Sequence, residues 1–473
     1  VLNLADVFEA LTNNRPGMEM PIITEAVIDS RQVIPGCLFI ARQGENVDGH
    51  DFVQDVFQRG ASFALIEHDI DGDFPCLDLR KSSNLTMVSI PEPPLCLRVE
   101  NTLEALQQIA RFWRRKLDIR VVGITGSVGK STTKELIAEV LSKRFRTLKN
   151  PGNMNNEIGL PLTVLKLNRN YERAVLEMGF YVPGEIAFLC DIAQPHIGVV
   201  TNIGTVHAER AGSQEAIAKG KSELVQALPP SPDGIAILNY DDPLVKAMAE
   251  KTKARIFFYG LNPLADLWAD EIESLGLEGI QFRLHYHNEI LHIKVPLIGQ
   301  HSVHTVLRAA AVGLVEGLNW QEIIEGLTSG HTQLRLVAVR SDTGALLLDD
   351  TYNASPESTL SALNLLVDLD GRKIAVLGDM LELGQYEKQG HEMVGVRAAQ
   401  VAEFLITVGE RSRITADAAR RSGMNASHIF EFENPGKTIS FLRDFLTSKD
   451  MVLIKGSRGI HMDQIVAALE VPE

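Results

Sequence analysis

The chain has 473 residues, 45% of them hydrophobic and 23% charged, which is the composition of an average soluble protein and, by length, of about three domains. Its formal charge of −15 argues against broad nucleic-acid binding, which needs a net basic face, so an anionic ligand must meet positive charge focused locally. No run approaches the roughly 20 apolar residues of a membrane span, and the start Val1-Leu2-Asn3-Leu4-Ala5-Asp6 lacks the basic and apolar stretches of a secretory signal, so a cytoplasmic protein without stable membrane insertion is expected.

Along the chain, Cys37, Cys76, Cys96 and Cys190 are scattered without metal-ligand spacing and are expected to be buried, reduced thiols. Three prolines in Pro91-Glu92-Pro93-Pro94 cannot continue a helix or a central strand and suggest a first boundary, after which a helix starts near Thr102. The apolar run from Val121 to Thr125 predicts a buried strand. It is followed by Gly126-Ser127-Val128-Gly129-Lys130-Ser131-Thr132 and by a helix-period pattern of Leu136, Ile137, Val140, Leu141 and Phe145.

This strand, loop and helix have the order of parts that a nucleoside triphosphate needs. Gly126 and Gly129 allow a tight turn with N–H groups aimed at phosphate, and the helix adds its positive end. Lys130 supplies a point charge for the outer phosphates, and the Ser131 hydroxyl suits Mg²⁺. The strict phosphate-loop pattern has glycine where this chain has Ile124, so the match is to the shorter TGxxGK[ST] form, and a purely structural tight turn is the alternative.

Further strands are predicted at Ala174 to Met178, Ile197 to Asn202, Ile235 to Asn239 and Ile256 to Tyr259, alternating with helical patterns, which describes a largely parallel sheet covered by helices. Pro229 to Gly234 predicts a surface loop. Ligands of such sheets sit beyond the carboxyl ends of strands, where Glu177, Thr201, Asn202, His207, Lys221 and Glu223 are found. A carboxylate, an imidazole and a hydroxyl meeting there suit one or two Mg²⁺ ions, whereas singly each is an ordinary buried polar group. The amides Asn153, Asn155 and Asn156 suit a neutral substrate group or a capped turn.

A second boundary is expected around Ser329-Gly330-His331. Beyond it, strands at Ala345 to Asp349, Ile374 to Leu377, Phe404 to Val408 and Met451 to Ile454 predict another α/β unit. Asp349 and Asp350, in the run that continues Thr351-Tyr352-Asn353-Ala354-Ser355-Pro356, suit a ribose or the cap of a helix starting near Pro356. Lys455-Gly456-Ser457-Arg458-Gly459 suits a carboxylate or is a basic turn.

In order, TGSVGKSTTKE, NMNNEIGLPLT, LEMG with PGEI, TNIGTVHAE, DDTYNASP, AVLGDMLELG and IKGSRG resemble the motifs of the Mur ligase family nearly end to end. Near the start, Asp29-Ser30-Arg31 and GENVDGHDF from Gly44 to Phe52 are similar to the segments with which that family holds a uridine nucleotide. The resemblance implies three α/β domains: residues 1–98 for the UDP substrate, a central phosphate-loop ATPase-like domain at 99–330, and a Rossmann-like domain at 331–473 that binds the incoming dipeptide and completes the ATP site. DDTYNASP with LGDMLELG favours the branch that joins D-alanyl-D-alanine to UDP-N-acetylmuramoyl-tripeptide.

The implied chemistry is an ATP-dependent amide ligation through an acyl phosphate, performed by a monomer. Gly126, Ser127, Gly129, Lys130, Ser131, Thr132, Arg335 and Asp350 would surround ATP. Ser131, Glu177, His207 and Lys221 would serve Mg²⁺, with Lys221 carbamoylated and Lys219 its alternative. Lys130, His207 and Lys221 would be catalytic. Ser30, Arg31, Gly44, Asp48, His50, Asn153, Asn155, Asn156, Tyr352, Asn353, Lys455, Ser457 and Arg458 would contact substrates. Two positions depart from the family: Thr305 stands where an asparagine touches the adenine, and Leu334 replaces the glycine before Arg335. Another Mur or folylpolyglutamate-type ligase, or a nucleotide-binding regulator without activity, are the alternative readings.

Overall fold

The computed structural model describes residues 1–17, 19–44, 47–80, 90–205, 208–329 and 337–470. The chain divides into two compact units, Val1–Gly123 with Phe145–Gly179 and Glu185–Ile197, and Ile124–Arg144 with Phe180–Gly184 and Gly198–Glu473. Among the described residues, β-sheets and the helices between their strands give an α/β architecture.

In the first unit β1 (Ala26–Val27), β2 (Leu38–Ile40), β3 (Phe63–Ile66), β4 (Cys76–Asp78) and β5 (Leu95–Arg98) lie in the order β1-β2-β3-β5-β4, all parallel. Every residue of β2 and β3 is buried, the mark of a sheet covered on both faces. The proline run precedes β5, which pairs with both β3 and β4, so it ends a loop within this sheet and not the sheet itself. A strand tolerates proline just before its first ladder bond. Cys37, Cys96 and Cys190 are buried free thiols, but Cys76 is exposed because β4 is the sheet's edge.

The helix Thr102–Arg115 starts where Asn101 accepts the Glu104 N–H. Near its end, buried Arg114 turns inward. Its guanidinium donates to the carbonyls of Ala193 at 2.7 Å, Leu117 at 2.9 Å and Ile119 at 2.8 Å. Burial lowers its pKa to about 10, so it remains a cation at neutral pH.

Between the first and last sheets the chain forms β6 (Arg120–Thr125), β7 (Thr147–Lys149), β8 (Arg173–Glu177), β9 (Ile197–Val200), β10 (Ile235–Asn239), β11 (Arg255–Gly260), β12 (Leu267–Ser274), β13 (Ile280–Tyr286) and β14 (Glu289–Val295). In the first unit β7 pairs parallel with β8. In the second the order runs β14-β13-β12-β11-β10-β9, and β12, β13 and β14 pair antiparallel. The largely parallel sheet expected from the sequence thus ends in an antiparallel ribbon. The reason is local: β13 alternates buried and half-buried residues, and Tyr286 opposes Glu289 across a turn in which His287 takes φ 50°.

The last sheet holds β15 (Val337–Arg340), β16 (Leu346–Asp350), β17 (Arg372–Gly378), β18 (Phe404–Val408), β19 (Ile429–Phe432) and β20 (Asp450–Lys455) in the order β15-β16-β20-β17-β18-β19. Among the described strands of this sheet only β15 runs antiparallel. Because β20 lies between β16 and β17, Asp350 and Lys455 are register partners at adjacent strand ends. Among the described residues no helix is long and apolar enough to cross a membrane.

Candidate active site

The phosphate-type loop is held by the chain segment that leaves β9. Asn202 accepts the Ser127 N–H on its carbonyl and the Val128 N–H on its side chain, each at 2.9 Å. Thr201 Oγ1 donates to the Val128 carbonyl at 2.8 Å, and Gly204 N–H donates to Ser127 Oγ at 2.8 Å. These bonds explain the two glycines. Gly126 has φ 144°, and a β-carbon there would lie 1.8 Å from Thr201 Oγ1; Gly129 has φ 81° and caps the helix Lys130–Leu141. Ser127 is therefore part of the loop's own scaffold, and the helix's positive end falls on Lys130, Ser131 and Thr132.

Two lysine side-chain nitrogens converge on one carbonyl oxygen. Lys130 Nζ donates to Gly126 O at 2.9 Å and to Ser127 O at 3.3 Å, and Lys221 Nζ donates to Gly126 O at 2.9 Å. Lys221, on the helix Gln214–Gln226, is 1% exposed and stands 4.6 Å from the centre of the Phe180 ring. Burial, and secondly the charge of Lys130, hold its pKa well below the ordinary lysine range. Lys219 is exposed on the same helix, whereas Lys221 faces the loop. Glu223 accepts the Gly184 N–H at 2.7 Å.

In the first unit Glu177 ends β8 and is buried, its Oε1 accepting from Asn155 Nδ2 at 2.9 Å. Asn150, which no sequence pattern singles out, is fully buried and binds Glu177 twice through the backbone, accepting its N–H at 2.9 Å and donating to its carbonyl at 3.0 Å. Asn156 accepts the N–H of Gly159, the first residue of the helix Gly159–Leu165, at 2.9 Å, while Asn153 is exposed. Of the three amides, one holds a carboxylate, one a helix start, and one faces solvent.

The uridine-type segment is built from short turns. Asp29 accepts the Arg31 N–H, Ser30 to Gln32 form one 3₁₀ turn, and the Arg31 side chain is 84% exposed and paired with Asp29 at 2.8 Å. Gly44 N–H donates to Val47 O at 2.9 Å. His50 is buried: its Nε2 accepts the Glu67 N–H at 2.9 Å, which places the ring proton on Nδ1, 2.6 Å from Asp48 Oδ1. Asp48, His50 and His68 bring ligand-type atoms within 4.8 Å of one another, yet this tautomer leaves His50 no lone pair for a cation. His50 pins the segment internally through these two bonds.

At the end of the last sheet, Lys455 Nζ lies 2.7 Å from Asp350 Oδ2 and 2.8 Å from Asn353 O. The expected helix cap is made not by the acidic pair but by Ser355, whose Oγ accepts the Ser358 N–H; Asp349 instead accepts from Thr351 N and Oγ1. Buried Ser457 accepts the Leu381 N–H at 2.9 Å. Tyr352 and Arg458 are exposed. Glu357, missed by the sequence reading, accepts from Thr205 N at 3.0 Å and Oγ1 at 3.2 Å. His207, Leu334 and Arg335 lie outside the described residues.

A parallel strand ending in a glycine-capped loop, with a helix N-terminus and two lysines turned on it, defines an α/β protein of the phosphate-loop type. Family models match the Mur ligase middle domain at residues 124–313, the Mur ligase, glutamate ligase domain at 334–458 and the Mur ligase family, catalytic domain at 23–114. The chain is 34% identical to the UDP-N-acetylmuramoyl-tripeptide–D-alanyl-D-alanine ligase of Bacillus subtilis (strain 168), over 99% of this chain and 98% of that protein. It is 31% identical to the protein of that name from Escherichia coli (strain K12), again over 99% and 98%. Its structure is similar to MurF from Acinetobacter baumannii, with TM-score 0.83, 29% identity and coverage of 98% and 97%. It is also similar to MurF ligase from Thermotoga maritima in complex with ADP, with TM-score 0.77, 27% identity and 97% of each chain covered. The chain belongs to the Mur ligase family.

Proposed function

We propose that this protein is an ATP-dependent ligase that joins D-alanyl-D-alanine to UDP-N-acetylmuramoyl-tripeptide, giving UDP-N-acetylmuramoyl-pentapeptide, ADP and phosphate in peptidoglycan synthesis. The observation that carries the nucleotide half is the glycine-capped loop with Lys130 Nζ turned back on Gly126 O and the helix start at Lys130 behind it, a local focus of positive charge in a chain of net charge −15. The peptide half is supported by relatives of that name spanning the whole chain.

In the first step an oxygen of the tripeptide's terminal carboxylate bonds to the γ-phosphorus of ATP as the bond to ADP breaks. Both reactants are anionic, so Lys130 and the helix end at Ser131 and Thr132 lower the repulsion between them. In the second step the dipeptide's amine attacks the acyl carbon, loses its proton, and phosphate leaves. Asp350 and Arg335 are assigned to ATP. Ser30, Arg31, Gly44, Asp48 and His50 are assigned to the uridine nucleotide or to the turns that hold it. Asn153, Asn155, Asn156, Tyr352, Asn353, Lys455, Ser457 and Arg458 are assigned to the peptide substrates or to the loops that hold them.

The Ser131 hydroxyl and Glu177 carboxylate are the hard oxygen donors that Mg²⁺ takes, and His207 and carbamoylated Lys221 would complete its ligands. Magnesium would supply neutralisation of phosphate charge. A desolvated lysine fits carbamoylation because the reaction needs a neutral amine. We assign residues 1–98, 99–330 and 331–473 to the UDP substrate, ATP and the dipeptide, in a cytoplasmic monomer.

The test is phosphate release by purified protein with Mg-ATP and UDP-muramoyl-tripeptide, with and without D-alanyl-D-alanine, while mass spectrometry follows the product. Release that depends on both substrates and yields the pentapeptide supports the reading. Nucleotide binding with no product overturns it.

A further inference from the structure

Arg308 sits on the helix Val303–Val315 and is 4% exposed, yet its partners are all neutral oxygens. Nε donates to Thr133 Oγ1 at 2.9 Å, Nη2 to Thr305 Oγ1 at 2.7 Å and Nη1 to the Tyr259 hydroxyl at 3.3 Å. The Tyr259 ring centre lies 5.7 Å from the guanidinium carbon. Among the described residues no carboxylate forms an ion pair with Arg308.

A buried cation without an acid is disfavoured unless another anion or fixed acceptors offset it. Three of the five N–H donors are spent on the three oxygens, leaving one on each terminal nitrogen. Nη2 also lies 3.2 Å from the place a β-carbon on Gly129 would occupy, so the spare donor is beside the turn of the phosphate-type loop. Thr133 belongs to the first turns of the helix that starts at Lys130. Tyr259, for its part, donates to the Thr201 carbonyl at 3.1 Å, and Thr201 holds Val128. The guanidinium is thus tied to both flanks of the loop.

Thr305 acquires a specific meaning in this arrangement. It stands where the family resemblance places a base-contacting asparagine, and its hydroxyl oxygen is spent on Arg308. The sequence departure and the buried arginine, three residues apart on one helix, form one unit.

We propose that Arg308 is a positioning residue for the phosphate chain of the nucleotide, fixing Gly129 and the helix start while supplying positive charge behind them, and that Thr305 orients Arg308 instead of reading the base. This rests on the reading that ATP occupies the loop from Gly126 to Thr132. The ligand class is a nucleoside polyphosphate, and the signature is dependence on phosphate, not on adenine.

The test is calorimetric binding of ADP, AMP and adenosine to the full chain as wild type, Arg308→Ala, Arg308→Lys and Thr305→Val, with thermal melts to establish folding. Loss of a charged donor near phosphate should weaken ADP about tenfold in Arg308→Ala while adenosine changes less than about twofold. Arg308→Lys, which keeps charge and loses the fork, should fall between wild type and Arg308→Ala, and Thr305→Val should weaken ADP by about threefold or less. Folded variants that bind ADP as wild type does, or that lose ADP and adenosine equally, overturn the proposal. Wild-type protein that binds no ADP at all overturns the underlying nucleotide reading and this proposal with it.

Discussion

Lys455 Nζ and Asp350 Oδ2 are 2.7 Å apart, at the register-paired ends of β20 and β16. They lie 105 residues apart in the chain, and their side chains are 2% and 16% exposed. Lys455 also donates to Asn353 O, so one buried ammonium binds the loop after β16 to the strand beside it. Removing one partner strands the other charge, which commonly costs about 3 kcal/mol or more. Asp350→Asn and Lys455→Met should each lower the urea midpoint, and the double variant should recover much of the loss. Additive losses in that cycle would show that the two charges do not act as a pair.

The two lysines on Gly126 should differ in what they do to stability. Lys130→Ala is expected to lower ligation by about 10²–10³-fold with the circular dichroism spectrum unchanged; undiminished turnover refutes its role. In protein purified without bicarbonate, so that the lysine is unmodified, Lys221 has a native pKa well below the 10.5 of an unfolded lysine, and the unfolded chain holds the extra proton across the window between those values. Stability therefore rises with pH through that window and is penalised below it. Lys221→Met should melt higher than wild type at pH 7, with the advantage shrinking toward pH 10, while ligation is lost. Lys221→Ala should regain part of the ligation with added short carboxylates, and a dispensable, unmodified lysine in the intact-protein mass would count against carbamoylation.

His391 provides a pH-dependent element inside the last sheet's helical cover. It is fully buried, its Nδ1 is 2.9 Å from Glu387 O, and its Nε2 accepts the Met380 N–H at 3.2 Å. Burial depresses its pKa below 6.5, so as pH falls through that value the unfolded chain takes up a proton that the native ring refuses. Stability should fall with acidification, and the melting gap between wild type and His391→Gln should close from pH 7 to pH 5. A gap that stays constant over that range removes His391 as the cause.

Arg114 donates to three backbone carbonyls at once, those of Ala193, Leu117 and Ile119. Each buried acceptor left without a donor costs about 1–3 kcal/mol. Arg114→Leu should lower the melting temperature by several degrees, and Arg114→Lys should recover only part because an ammonium cannot span the same fork. A wild-type melt for Arg114→Leu would mean that water satisfies these carbonyls.

The order strand, glycine loop, helix around Lys130 was legible because apolar periodicity and glycine turns are local properties, fixed within a few residues by backbone sterics. The parallel strands near Ala174, Ile197 and Ile235, and those at Ile374 and Phe404, were legible for the same reason. The ribbon from Leu267 to Val295 escaped because alternating half-buried strands give a weak signal beside the continuous apolar runs. Local pattern also left open whether an acid caps a helix or meets a base. Ser355 took the cap because it alone stands at the helix boundary, and Asp350 met Lys455 because β20 inserts beside β16. Nothing in the segment around Arg308 discloses that Thr133, Tyr259 and Thr305 surround it. Sequence by itself determined the elements and the phosphate loop's chemistry; tertiary structure decided which polar groups meet, because such meetings depend on strand order and on burial, which makes each donor find an acceptor from a distant part of the chain.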